Sequence, residues 1–136
     1  MIENARRAVI PEALADGTLV EMLEAGVLRY FDHLRADPEH EQAMLELTQY
    51  AIRSPERHPL ARAQYARYVE LAEQSLVIAA ERTGMQWRVP LHRVARVLVA
   101  FTDGLTLTWL VDRDDEASMA VAHASAVALS RMAEPR

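Results

Sequence analysis

From Val94 to Val111 the chain is apolar except for Arg96, Asp103 and a few threonines, and these interruptions make no continuous polar face. Pro90 opens this stretch, which is predicted to run as a helix to about Asp112. A helix apolar nearly all round must be covered nearly all round. The segment after it shares the pattern. Asp114 or Asp115 caps a last helix ending near Met132, with Met119, Ala122, Ala126 and Leu129 on one side and Val121, Ala124, Ala128 and Met132 on the other. Its residues are small, so another backbone can approach closely. With 136 residues, 51% of them apolar, the chain can bury one core but not two. Two arrangements meet the constraint. In the first, a two-fold homodimer joins the last two helices of each copy in a four-helix bundle. In the second, the helix at Pro90 is a central core helix wrapped by the others. The shared pattern of the last helix favours the dimer, because terminal helices are usually peripheral.

The rest of the chain also reads as helix, giving an all-α domain of about six helices. Apolar residues recur at three and four rather than two, and Gly and Pro fall between the periodic runs. Ile2–Leu14 is a short helix with Pro11 inside it. Thr18 and Glu21 fit a capping box for a helix from Leu19 to about Arg35, with Val20, Leu23, Val27, Tyr30, Phe31 and Leu34 on its inner stripe. Asp37 and Pro38 fit the N-cap and first position of the next helix. That helix ends near Arg53, and its expected buried stripe is Ala43, Met44, Leu47, Tyr50 and Ala51. One turn separates Ser54-Pro55 from His58-Pro59. The longest helix then runs from about Pro59 to Thr83, with Gly84 terminating it. Trp87 is expected in a loop. No linker or repeat divides residues 1–136, so the chain reads as one domain.

Composition excludes several functions. With no cysteine there are no disulfides, thiolate zinc sites or thiol nucleophiles. Twenty acidic against 15 basic residues give a net charge of −5, a poor basis for binding duplex through its phosphates. The longest apolar run, near Val94–Phe101, is shorter than a bilayer requires, and no secretory signal opens the chain. A cytoplasmic protein without a membrane partner is expected.

Two stretches carry a family resemblance. "VLVAFTDGLTLTWLVDRDD", Val97 to Asp115, resembles the penultimate helix of the C-terminal ligand-binding and dimerisation domain of tetracycline-repressor (TetR) family transcriptional regulators. "LRYFDHLRADPEHEQAMLELTQYAIRSPE" is similar to the family's segment of helix, Asp-Pro turn, second helix and Pro-marked break. The resemblance covers about Thr18 to Leu129. It implies a homodimer, a small-molecule effector, and a DNA-binding module whose spacing the effector controls. The family's N-terminal three-helix DNA-binding module has no counterpart here. "MIENARRAVIPEAL" resembles the helix that connects it to the ligand domain, so DNA contact is expected only through that missing module.

Pockets for small ligands are mostly apolar with a few fixed polar groups. The candidate ligand-binding residues are therefore Met44, Leu47, Tyr50, Tyr65, Tyr68, Phe101, Thr102 and Thr106. Packing on a helical stripe is the alternative role for the tyrosines, and back-bonding to the helix for the threonines. Asp103 either meets a cationic effector, pairs with Arg67 or Arg96, or is exposed, since a buried unpaired carboxylate is costly. Gly104 beside it is expected to mark a close helix crossing. Candidate dimer contacts are Leu105, Trp109, Met119, Ala122, His123, Ala126 and Leu129. Glu39, Glu41 and Glu46 read as a solvated helix start. Histidine spacing supports no metal site, no cofactor motif is present, and no catalytic constellation is found. The expected activity is binding, not catalysis. A free-standing dimeric scaffold, or more remotely a small-molecule enzyme, are the alternatives.

Overall fold

The computed structural model describes residues 17–136; the expected helix Ile2–Leu14 lies outside them. Five α-helices are described: α1 (Leu19–Ala36), α2 (Pro38–Ile52), α3 (His58–Thr83), α4 (Leu91–Asp112) and α5 (Asp115–Ser130). Their boundaries follow local chemistry. Thr18 Oγ1 accepts from Glu21 N at 3.2 Å while Glu21 Oε1 accepts from Thr18 N at 3.3 Å, closing the capping box of α1. Asp37 Oδ1 accepts from His40 N, with Pro38 at the first turn of α2. Gly84 ends α3 in the left-handed region at φ 68°, which its lack of Cβ permits. Asp114 caps α5 through Ala117 N.

Two short strands were not expected. Met85–Trp87 (β1) pairs antiparallel with Ala133–Pro135 (β2), in register Gln86 with Glu134. Trp87 is thus in a strand, and its Nε1 donates to the Leu76 carbonyl at 3.0 Å. This pairing fastens the tail to the α3–α4 connection. Three-residue strands are too short to show a period of two.

The core lies between α1, α3, α4 and α5. Leu23, Val27, Phe31, Leu34, Leu76, Ala79, Leu98, Leu105 and Leu129 are among its buried members. α1 packs mainly along α5, and α4 lies between α3 and α5. α2 was misread. Ala43, Leu47 and Tyr50 are exposed, whereas Glu41 and Ala51 are buried and Met44, Leu45 and Thr48 half-buried. The inward face of α2 is therefore the mixed stripe Glu41, Leu45, Thr48 and Ala51, rotated from the apolar one, and Glu41 is not solvated. α2 covers a polar part of the core, so its apolar residues do not report its orientation.

The last two helices are two-sided, but the faces are exchanged relative to expectation. Leu105, Trp109, Ala122, Ala126 and Leu129 are buried in the chain's own core and have no surface left for a partner. The outward residues are Ala100, Gly104, Leu107 and Val111 on α4, and Ala117, Ala120, Ala124 and Ala128 on α5. α5 carries small apolar residues on both sides, so composition could not rank them. A Cβ built on Gly104 would meet nothing within 4 Å, so no crossing within the chain explains this glycine. α4 as a whole is also long and apolar enough to cross a membrane by length and composition. The expectation drawn from the run near Val94–Phe101 understated it, because isolated polar residues do not stop a helix from passing that test; one side of α4 forms the protein core.

The α4–α5 turn is tied to the end of α1. Asp115 accepts from Trp109 Nε1 at 2.8 Å and from Arg35 Nη1 at 3.2 Å. Arg35 also covers the Phe31 ring at 4.5 Å, and Phe31 meets Trp109 edge-on at 5.9 Å. The Trp109 N–H first, and the Arg35 guanidinium with it, hold the Asp115 carboxyl below its ordinary 3.8. A carboxyl lowered by folding stabilises above its unfolded value and loses that contribution as pH falls through the folded one. Asp115 should therefore titrate below 3.8 by carboxyl NMR, and Trp109→Phe should raise its midpoint; an unchanged midpoint would show that the indole bond does not hold it.

Candidate functional site

The mixed stripe of α2 faces a polar cluster made by α1, α3 and α4. Tyr30, buried on α1, shares a 2.7 Å hydrogen bond with Thr106 of α4, whose hydroxyl also reaches the Thr102 carbonyl at 2.8 Å. Tyr65 of α3 donates to Asp103 Oδ2 at 2.8 Å. Gln64 Nε2 donates to the Tyr68 hydroxyl, and its Oε1 accepts from Thr48 at 3.1 Å. Tyr65 and Tyr68 meet edge-to-face at 5.1 Å. Tyr30, Tyr65, Tyr68, Asp103, Thr48 and Thr106, with Glu41, Met44 and Leu45, line a small half-open inner cavity of about 10 Å³, room for about one water molecule.

Thr48 and Tyr65 also line a second space. On their outer side an open groove of about 810 Å³ runs between the end of α2, the first half of α3 and the start of α4. Ile52, Ala61, Ala66 and Val69 give it apolar walls, and His58, Arg62, Glu73, His92 and Arg96 supply its charged and imidazole groups. Its volume falls within the range of small-molecule sites. Tyr65, tied to Asp103, lines both the groove and the inner cavity. A third space, about 510 Å³, lies between α2 and α4 along Tyr50, Leu107, Leu110 and Val111.

Of the expected ligand residues, Met44, Tyr65, Tyr68 and Thr106 meet around the inner cavity. The structure places the others elsewhere. Thr102 is buried and bonds back to the Val99 carbonyl at 3.0 Å, while Phe101 is half-buried and does not line the cavity. Leu47 is exposed, and Tyr50 lines the α2–α4 space with Arg57 stacked 3.9 Å over its ring. Both were placed inward by the misread orientation of α2. Asp103 accepts from Tyr65, an arrangement absent from the expected set. Tyr30, Glu41, Leu45 and Thr48 were missed as site residues. A three-and-four spacing of mixed residues through Glu41, Leu45, Thr48 and Ala51 was the available signal. Of the expected dimer contacts, Met119 and His123 are exposed, and His123 Nδ1 lies 2.5 Å from Glu24 Oε1 of its own chain. Among the described residues no group of three or more His, Asp or Glu is placed to hold a metal.

A family model described as the BetI-type transcriptional repressor C-terminal domain matches residues 19–133, which cover all five helices. The chain therefore belongs to the TetR family of transcriptional regulators, as a C-terminal regulatory domain. Searches of curated proteins and of solved structures returned no match.

Tyr30→Phe removes the hydroxyl that bonds Thr106 in the buried cluster, while Thr106 keeps its bond to the Thr102 carbonyl. The urea midpoint should fall by an amount equivalent to about 1 kcal/mol with an unchanged slope. No loss would show that the Tyr30 hydroxyl is dispensable to the fold.

Proposed function

We propose that this chain is the effector-binding and dimerisation domain of a cytoplasmic transcriptional regulator, in which a small molecule controls a DNA-binding module. The observation that carries this reading is the double use of α4. One edge supplies His92 and Arg96 to the groove and Asp103 to the bond with Tyr65. The outward face carries exposed Ala100, Gly104, Leu107 and Val111, and α5 carries exposed Ala117, Ala120, Ala124 and Ala128. An occupant of the groove that favours one position of α4 shifts the population toward it. Because the same rigid helix forms the outward surface, the shift moves one copy relative to the other. A reader with two modules one duplex turn apart is sensitive to such rotation.

Gly104 supports the dimer. A mid-helix glycine costs about 1 kcal/mol relative to alanine, and nothing in its own chain occupies the space a Cβ would take. Close approach of a second helix is a physical reason for it. Exposed Leu107 and Val111, 56% and 79% accessible, are natural members of the same surface. The site binds its ligand without transforming it, as befits a regulatory domain.

Two measurements test the reading. Ala124→Glu should convert a dimer to a folded monomer in sedimentation velocity, whereas Ala126→Glu, which places a charge in the core, should unfold the chain. A wild-type monomer at micromolar concentration would remove the dimer from the reading. Ala66→Trp fills the groove from an exposed position on α3. Molecules that raise the melting temperature of the wild type in a small-molecule screen should lose that effect in this variant; retained shifts would place sensing outside the groove.

A further inference from the structure

The groove has a chemical polarity that its family membership does not supply. Its apolar walls, Ile52, Ala61, Ala66 and Val69, are accompanied at the rim by Arg62 and Arg96, with the imidazoles of His58 and His92 and the single carboxylate of Glu73. In a chain of net charge −5, this is a concentration of cationic and N–H donor groups around one opening. Among the described residues, Arg35, Arg57, Arg67, Arg88, Arg113 and Arg136 have side-chain partners, while Arg29, Arg53, Arg82, Arg93 and Arg131 have none and do not line this groove. Among the described residues, Arg62 and Arg96 have no side-chain hydrogen bond or ion pair. They belong to different helices, α3 and α4, so an anion held by both would join the two walls of the groove.

We propose that the groove takes an amphipathic organic anion, a carboxylate on an apolar body, with its head group at Arg62 and Arg96. Guanidinium donors form paired, charge-assisted bonds to carboxylate oxygens, and His58 and His92 add N–H donors at the same rim. The body covers Ile52, Ala61, Ala66 and Val69 and ends against the Tyr65 ring. The orientation follows from charge. The guanidinium groups of Arg62 and Arg96 attract the head group, and the apolar side chains of the groove offer it no partner. A ligand bridging Arg62 and Arg96 draws α3 and α4 together on the groove side. This assignment deepens the sensing reading and rests on the groove being the effector site.

The test compares three probes of equal chain length, octanoate, octanamide and octylamine, by titration calorimetry and amide chemical-shift mapping on the full chain. Octanoate is expected to bind about tenfold or more tighter than either of the others, shifting resonances of Ile52, Ala66 and Val69. Arg62→Gln and Arg96→Gln, both at exposed positions, should each weaken octanoate about tenfold and leave octanamide unchanged. Equal or tighter binding of octanamide or octylamine in the groove overturns the anionic assignment and leaves the groove as the sensor. Octanoate binding that neither arginine variant weakens overturns the placement of the head group. Absence of groove shifts with all three probes also overturns the assignment, while the sensing reading is judged separately by the Ala66→Trp screen.

Discussion

The architecture depends on how the apolar surface of α4 is divided. One side, with Val94, Leu98, Thr102, Leu105 and Trp109, is buried between α1, α3 and α5. The opposite side, with Ala100, Gly104, Leu107 and Val111, is left outside. In this fold α4 packs against α3 on one flank and α5 on the other, and its remaining side is exposed among the described residues. A core helix thus becomes a surface helix without a change of composition.

The groove and the polar cluster follow from the same packing. α2 lies over the first part of α3 with an inward stripe that is only partly apolar, and it therefore seals that end loosely. Tyr30, Thr106, Tyr65 and Asp103 satisfy one another behind it, as buried polar groups must. Tyr65, bonded to Asp103, lines both the inner cavity and the open groove. Asp115 joins α1 to the α4–α5 turn, and the pairing of β1 with β2 joins the tail to the α3–α4 connection.

Much of this was legible in residue order. The capping box at Thr18, the Asp37-Pro38 start, the glycine stop at Gly84 and the Asp114 cap are local hydrogen-bond chemistry, and each appears where its residues require. The inner stripe of α1 was also readable, because a strongly amphipathic helix has one way to face a core. The family resemblance came from the same strings. Within the site, Met44, Tyr65, Tyr68 and Thr106 were nameable by residue type, but Tyr30, Glu41 and Thr48 were not, since their role depends on neighbours distant in sequence.

Amino-acid order determined the helices, their ends and the fact that α4 and α5 carry more apolar surface than one side can hide, because these depend on periodicity and on contacts within a turn or two. Tertiary packing alone decided which side of α5 turned inward, how α2 was rotated, and that Tyr65 should meet Asp103. Ala122 and Ala124 are chemically identical and differ only in what lies opposite them, and that is a property of the assembled bundle.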